Sequence, residues 1–374
     1  MKKINILILL VTLLLCACNG KRNTSDTAEG VSVEMQYADL LTLRQCDGYV
    51  YAQIRNPWDS AGVLHSYVLV DKDIQLPDGL PEGDIIRTPL ANSVVYTSVH
   101  CSLVDEIGAY TAIKGVCDLT YIDIDKLQAD VTSGKIINLG ESTSPNIEAI
   151  IDLSPDAVLL SPFQNSGSYG RLGKLGIPII ECADYMETSA LGRAEWVKFY
   201  GLLFGQTAAA DSLFAEVETE YNALKSLAQK AAHKPTVITD LKFGAMWYVP
   251  GGNSTMGRVL ADAASDYIFK DRTESGSVPM DPEVVFDAAI DAECWVMKYS
   301  QASDKTYAEI AQDYSNYSKI RAFREKNIYA CNTTSVPFYE ETPFHPNRLL
   351  KDYVKIFHPE LLPDYELRYY KKLN

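Results

Sequence analysis

Positive charge is in short supply: 34 Lys and Arg stand against 49 Asp and Glu in a chain of 374 residues, a formal net charge of -15 at pH 7. Nucleic-acid binding needs clustered cations that displace counterions from phosphates, so a generic DNA or RNA partner is excluded. Histidine is scarcer still, with five in all, His65, His100, His233, His345 and His358. They do not form the convergent His and carboxylate sets that hold bare Zn, Mn or Fe, and no metal or cofactor is expected. Eight cysteines occur, but without paired CxxC or Cys/His spacing for zinc or a cluster. Missing too are a Gly-x-Ser-x-Gly elbow, a His-Glu-x-x-His motif and the Lys-Ser/Thr of a P-loop. Catalysis is therefore not expected, although carboxylate pairs of the glycosidase kind occur in any acidic two-lobed protein and leave a secreted two-domain enzyme as the alternative.

Beyond the first residues no apolar run approaches the ~20 residues a bilayer span requires. The start differs. Met1-Lys2-Lys3 is followed by apolar Ile4 to Leu15, broken only by Asn5 and Thr12, and then by Leu15-Cys16-Ala17-Cys18. This reads as a signal peptide over 1–17. Its end resembles a bacterial lipobox, which implies that Cys18 is acylated and becomes the first residue of a lipid-anchored periplasmic protein. An ordinary cleaved signal with two incidental cysteines is the other reading. Residues 18–30 are small and polar, a tether. Cys46, Cys101, Cys117, Cys182, Cys294 and Cys331 remain, as disulfides in an oxidising compartment or as buried thiols.

With 47% hydrophobic and 22% charged residues the chain has ample core for two lobes. From 31 to 88, runs such as Tyr49-Val50-Tyr51-Ala52-Gln53-Ile54 between Asn56-Pro57 and Pro77-Asp78-Gly79 turn signals predict a small antiparallel β-rich extension. After it, apolar strands alternate with helical patterns, the α/β signature. Leu213, Phe214, Val217, Tyr221, Leu224 and Ala228 share one helical face, and Gly205 is expected to break the helical region 191–233 in two. That region separates an α/β block at 89–190 from another at 234–374.

The two blocks echo each other. Glu148, Asp152, Asp156 and Ala157 match Glu283, Asp287, Asp291 and Ala292, each 135 residues on without a gap. Each match lies in a short helix running into a buried strand. Two similar lobes leave a cleft between them, the common place for a small-molecule site.

Val94 to Gly108, Ile113-Lys114-Gly115-Val116, Gly140 to Glu148 with Leu153 to Leu159, and His358-Pro359-Glu360-Leu361 follow an order that resembles ABC-transporter substrate-binding proteins for ferric siderophores, haem and cobalamin. The resemblance covers about 90–374. It implies two Rossmann-like lobes joined by a long helical backbone, a preformed cleft with little closure, and a monomer that hands its ligand to an ABC permease of the inner membrane. A ferric siderophore or related chelate is the first expectation, a corrinoid the second and haem the third. The resemblance also implies that Glu148 and Glu283 pair with permease arginines, beside the plainer role of favouring their helix N-termini.

Ligand contacts are expected from loops at strand ends, dense in aromatics that stack on flat chelates. The candidates are Ser98, His100, Phe163, Gln164 and Tyr185 in the first lobe. In the second they are Trp247, Tyr248, Ser254, Thr255, Tyr299, Phe338 and Tyr339, with Arg348 at the family's late arginine position or in a surface ion pair. Gly251 to Thr255 could also offer backbone N–H groups to an anion. Cys18→Ser is expected to move the protein from the membrane fraction to the soluble periplasm; fractionation with a fatty-acid label checks it, and continued acylation would refute the lipobox.

Overall fold

The computed structural model describes residues 30–164 and 169–374. The signal segment, Cys18 and all of the tether but Gly30 lie outside the described residues. Among the described residues no helix is long and apolar enough to cross a membrane.

The chain opens with a five-stranded sheet. Leu41–Cys46 turns Leu41 and Leu43 inward and Thr42 outward, the two-residue period of a half-buried strand. It is joined to Tyr49–Arg55 by Asp47-Gly48, with Gly48 at φ 79, as a two-residue hairpin turn demands. Val31–Val33 and Val63–Asp71 complete the antiparallel part. One expectation is corrected here: the fifth strand, Asp84–Thr88, runs parallel to Val63–Asp71, because the chain crosses back through 72–83 to reach the free edge.

Two α/β lobes follow. The first has a wholly parallel sheet in the order Ile179–Glu181, Ala157–Leu160, Ser93–Val95, Ile113–Val116, Ile137–Asn138. The second runs Asp266–Tyr267, Thr236–Thr239, Cys294–Tyr299, Ile328–Asn332, with Lys371–Lys372 antiparallel at the edge. A three-stranded antiparallel sheet, Lys242–Phe243, Met246–Pro250 and Ser277–Met280, is added to the second lobe. The echo has a topological meaning. In both lobes the matched helix, Ile147–Leu153 or Pro282–Ala289, feeds a strand that lies beside the lobe's first strand.

Between the lobes, Val197–Phe204 ends at Gly205, which has φ 67 and whose added Cβ would meet Pro89 at 3.0 Å. Thr207–Ala228 then runs 22 residues, about 33 Å. It buries Ala210, Phe214, Val217, Tyr221, Leu224 and Ala228 against Val197–Phe204 and Pro346–Phe357, while Leu213 is only partly covered. The six cysteines Cys46, Cys101, Cys117, Cys182, Cys294 and Cys331 are free and buried, which closes the disulfide alternative.

Residues 36–40 strap the extension to this helical spine through two buried carboxylates. Glu195 accepts from the backbone N–H groups of Gln36, Tyr37 and Ala38 at 2.8–2.9 Å and pairs with Lys198. Glu187 accepts from Asp39 and Leu40 N–H and from the Trp196 indole at 2.8–3.0 Å. Burial raises the Glu187 pKa, and its three donors only partly offset that. Glu187→Ala strips three donors, two of them buried, of their acceptor and is expected to lower unfolding free energy by about 3–5 kcal/mol in urea titrations, with Glu187→Gln losing less.

Candidate functional site

In a doubly wound sheet a crevice opens where the strand order reverses, beyond the carboxyl ends of the strands. In the first lobe the reversal falls between Ser93–Val95 and Ala157–Leu160. A cavity of about 620 Å³ opens there, its floor formed by Tyr96, Leu160 and Leu172. Ser142, Thr143 and Ser144 form a hydroxyl-rich lip. The lip is fixed by Asp118, in the left-handed region at φ 51, whose carboxylate accepts from Ser142 N–H at 2.9 Å. The buried Tyr96 hydroxyl, beside the Cys117 thiol, makes no well-formed hydrogen bond. Burial raises its pKa, so it stays protonated.

The corresponding reversal in the second lobe, between Thr236–Thr239 and Cys294–Tyr299, is plugged. Lys298 Nζ lies 2.6 Å from Asp240 Oδ1, and the Trp295 indole donates to Asp240 O at 2.9 Å. Tyr317 packs edge to face against both Trp247 and Trp295 behind them, and the two indoles are tilted at 31° to each other.

Among the described residues, the Phe, Tyr and Trp side chains classed as exposed are Tyr121, Phe163, Tyr185, Phe243, Tyr248 and Tyr339. Phe243 and Tyr248 are in the added three-stranded sheet, and the other four are on loops or short helices that follow the carboxyl ends of parallel strands. Phe163 is 62% exposed and Gln164 beside it is also open. Tyr185 leans over this rim and donates to Pro162 O at 2.5 Å.

The remaining candidates are placed otherwise. His100 is buried: its ring nitrogens meet Thr97 Oγ1 and Asp184 Oδ1 at 2.5 and 2.9 Å, and Tyr200 lies at 3.0 Å. Burial opposes its protonation, and Cys182 and Asp184 more than offset that, holding the imidazole well above its ordinary range. Trp247 is wholly inside the second lobe, with its indole donating to Thr239 O at 3.1 Å; it is core because the added hairpin turns alternate residues inward. Phe338 is buried against Tyr369 and Tyr370. Ser254 caps the helix Thr255–Asp262. Gly251 and Gly252 press against the backbone of Glu274 and Lys270, so these glycines serve close packing and not an anion. Tyr299 is half-buried, and its hydroxyl accepts from Lys305 N–H.

Three candidates join the lobes to each other. The Ser98 hydroxyl meets the Glu340 carboxylate, Thr255 Oγ1 donates to Glu187 O at 2.7 Å, and Arg348 lies 3.1 Å from Glu341 and 4.0 Å from Glu106, which also holds His345 at 2.7 Å. Helix Ser98–Glu106 packs directly on Phe338–Glu341. Glu148 and Glu283 stand in the first turns of their short helices, and Glu148 meets Arg171 at 3.1 Å with both side chains mostly in solvent. Sequence reasoning missed Tyr96, Tyr121, Arg171 and the Ser142–Ser144 lip as site residues. Gly140 to Glu148 was legible only as a fold signature.

A family model described as "Periplasmic binding protein" matches residues 94–334. An uncharacterized lipoprotein of Methanocaldococcus jannaschii is 28% identical over 326 residues, 82% of this chain and 76% of that protein. A cobalamin-binding protein of Halobacterium salinarum is 27% identical over 262 residues, 69% of this chain and 65% of its own length. Among solved structures, a TroA-like periplasmic binding protein of Veillonella parvula superposes with a TM-score of 0.59 at 16% identity, covering 77% of this chain and 96% of that one.

Asp184, fully buried, has a pKa held down to about 2: burial would raise it, and His100 and Arg193 outweigh burial. Its stabilising effect is complete above the unfolded value of 3.8 and is lost as pH falls through the folded value. Unfolding free energy should therefore fall by roughly 2 kcal/mol less in Asp184→Asn than in the wild type between about pH 4 and pH 2, in urea midpoints across that range.

Proposed function

The chain belongs to the periplasmic binding protein family, and from that premise we propose that it is a lipid-anchored monomer that captures a bulky metal chelate and delivers it to an ABC permease. The observation that supports this reading is the open cavity at the first lobe's strand ends, lined by the exposed Phe163, together with further exposed aromatics on both lobes. Flat rings fixed by their backbones give large contact area at low entropic cost. Contacts already made between the lobes by Ser98, Thr255 and Arg348 leave little closure for a ligand to drive, so affinity comes from a prebuilt surface.

Three cations near these strand ends have carboxylate partners, Arg171 with Glu148, Lys298 with Asp240 and Arg348 with Glu341, whereas Lys242 donates to Gly244 O. A ligand of many negative charges would have to break such pairs. That favours a chelate of low net charge, a ferric siderophore of the hydroxamate kind, over a polyanionic catecholate or a dicarboxylate porphyrin. A corrinoid is the second reading, favoured by the 27% identity to a cobalamin-binding protein and by the same shortage of unpaired cations. Glu148 and Glu283, on matching helices of the two lobes, are the proposed contacts with permease arginines.

The test is fluorescence titration of the unlipidated chain with a neutral ferric hydroxamate, a ferric catecholate, cyanocobalamin and haemin. Tight binding of the hydroxamate or of cobalamin is expected, weakened roughly tenfold by Phe163→Ala. Binding of none of the four would overturn the reading. Glu148→Arg with Glu283→Arg should abolish uptake in cells while leaving affinity unchanged.

A further inference from the structure

A second cavity, of about 670 Å³, lies between the N-terminal sheet and the first lobe. That volume is within the range that takes a small molecule. Its upper walls are apolar and aromatic: Trp58 and Leu64 from the extension, Ile177 and Pro178 from the lobe. Its polar floor is acidic. His65 is held flat on Tyr67, ring centroids 4.5 Å apart, with Nε2 at 3.0 Å from Asp84 and Nδ1 at 3.5 Å from Glu181. Asp84 is half open to solvent.

Glu181 is the telling residue. It is 6% exposed and lines this cavity. Its Oε1 accepts from the Tyr169 hydroxyl at 2.5 Å, whereas Oε2 accepts no well-formed hydrogen bond and has only the long, 3.5 Å contact to His65 Nδ1. A buried carboxylate oxygen whose one contact is that long is under-satisfied and leaves capacity for a further donor. No Lys or Arg is among the described residues that line the cavity. With two carboxylates against one imidazole, the lining is negative whether His65 is protonated or not.

We propose that this cavity binds an organic ammonium group carried on an apolar scaffold, with Asp84 and Glu181 as its acceptors and Trp58 as the ring beside it. A metal ion fits less well. Both His65 nitrogens are turned to carboxylates, and among the described residues no group of three His, Cys, Asp or Glu converges as a metal would need. An anion would face two carboxylates.

The ammonium group has two possible sources. Phe163 and Tyr169 line both cavities, so an ammonium arm of a chelate seated at the strand ends could reach over Phe163; this source rests on the function proposed above. A separate small amine does not depend on it.

The probe is tyramine, compared with its neutral counterpart 4-ethylphenol, titrated into the whole unlipidated chain by calorimetry. Tyramine is expected to bind at least tenfold more tightly, and the difference should vanish in Asp84→Asn and in Glu181→Gln. Asp84 is on the surface, so its variant tests the site even where Glu181→Gln weakens folding. Equal affinity for the two probes in the wild type, or a preference undiminished in Asp84→Asn, would overturn the proposal. Displacement of tyramine by a ferric hydroxamate with a pentylammonium arm, but not by its N-acetylated form, supports the site and names the chelate as source. Simultaneous binding supports the site and names a separate amine. Tyramine bound while no chelate binds supports the site and overturns the cleft reading alone.

Discussion

Two carboxylates withdrawn from water hold the molecule's parts in one arrangement. Glu195 and Glu187 together accept five consecutive backbone N–H groups, from Gln36 to Leu40, so a segment with no regular partner strand has its donors satisfied inside the protein. Glu187 reaches further, because its backbone carbonyl accepts from Thr255 of the second lobe. One residue thus touches the extension, the spine and the far lobe. The β-rich extension is by this measure part of the body of the protein and not a module hung from it.

Built on that frame, the lobes share a strand plan and differ in what fills it. Each has its first strand flanked by the strand of the matched helix–strand unit, and each reverses strand order at that point. The first lobe leaves the reversal open beneath Tyr96 and the Ser142–Ser144 lip. The second closes it with Lys298, Asp240 and the packed Trp247 and Trp295. Duplication of a fold has therefore not duplicated the cavity. The first half holds the recess, while exposed aromatics and the contacts that hold the halves together come from both.

The spine, the break at Gly205 and the paired helix–strand units were legible because each has a local signature: a 3.6-residue apolar stripe, a glycine after an apolar helix, and an ungapped repeat. Site residues were legible in part. Phe163 on a loop, Tyr185 and Tyr339 on short helices and Tyr248 on a hairpin strand stay exposed, as aromatics expected near strand ends. Trp247 and Phe338 look the same in sequence, yet their burial depends on tertiary neighbours, Trp295 and Tyr317 for one, Tyr369 and Tyr370 for the other. His100 differs from a ligand histidine only through Asp184 and Tyr200, 84 and 100 residues away. The parallel fifth strand escaped because a strand's direction is set by its crossover, which composition does not encode.

The Tyr67 hydroxyl is wedged against the outermost strand of the first lobe, donating to Ile179 O at 3.0 Å and accepting from Glu181 N–H at 2.8 Å. It occupies the bonding positions that another strand would take, and it comes from a segment made more than a hundred residues earlier. A chain that crosses a membrane amino end first would present this ready-made border before the sheet it borders, so the lobe would grow up to a limit already laid down. Sticky intermediates with an unguarded margin, the usual route by which parallel sheets find one another in a crowded envelope, would then be brief.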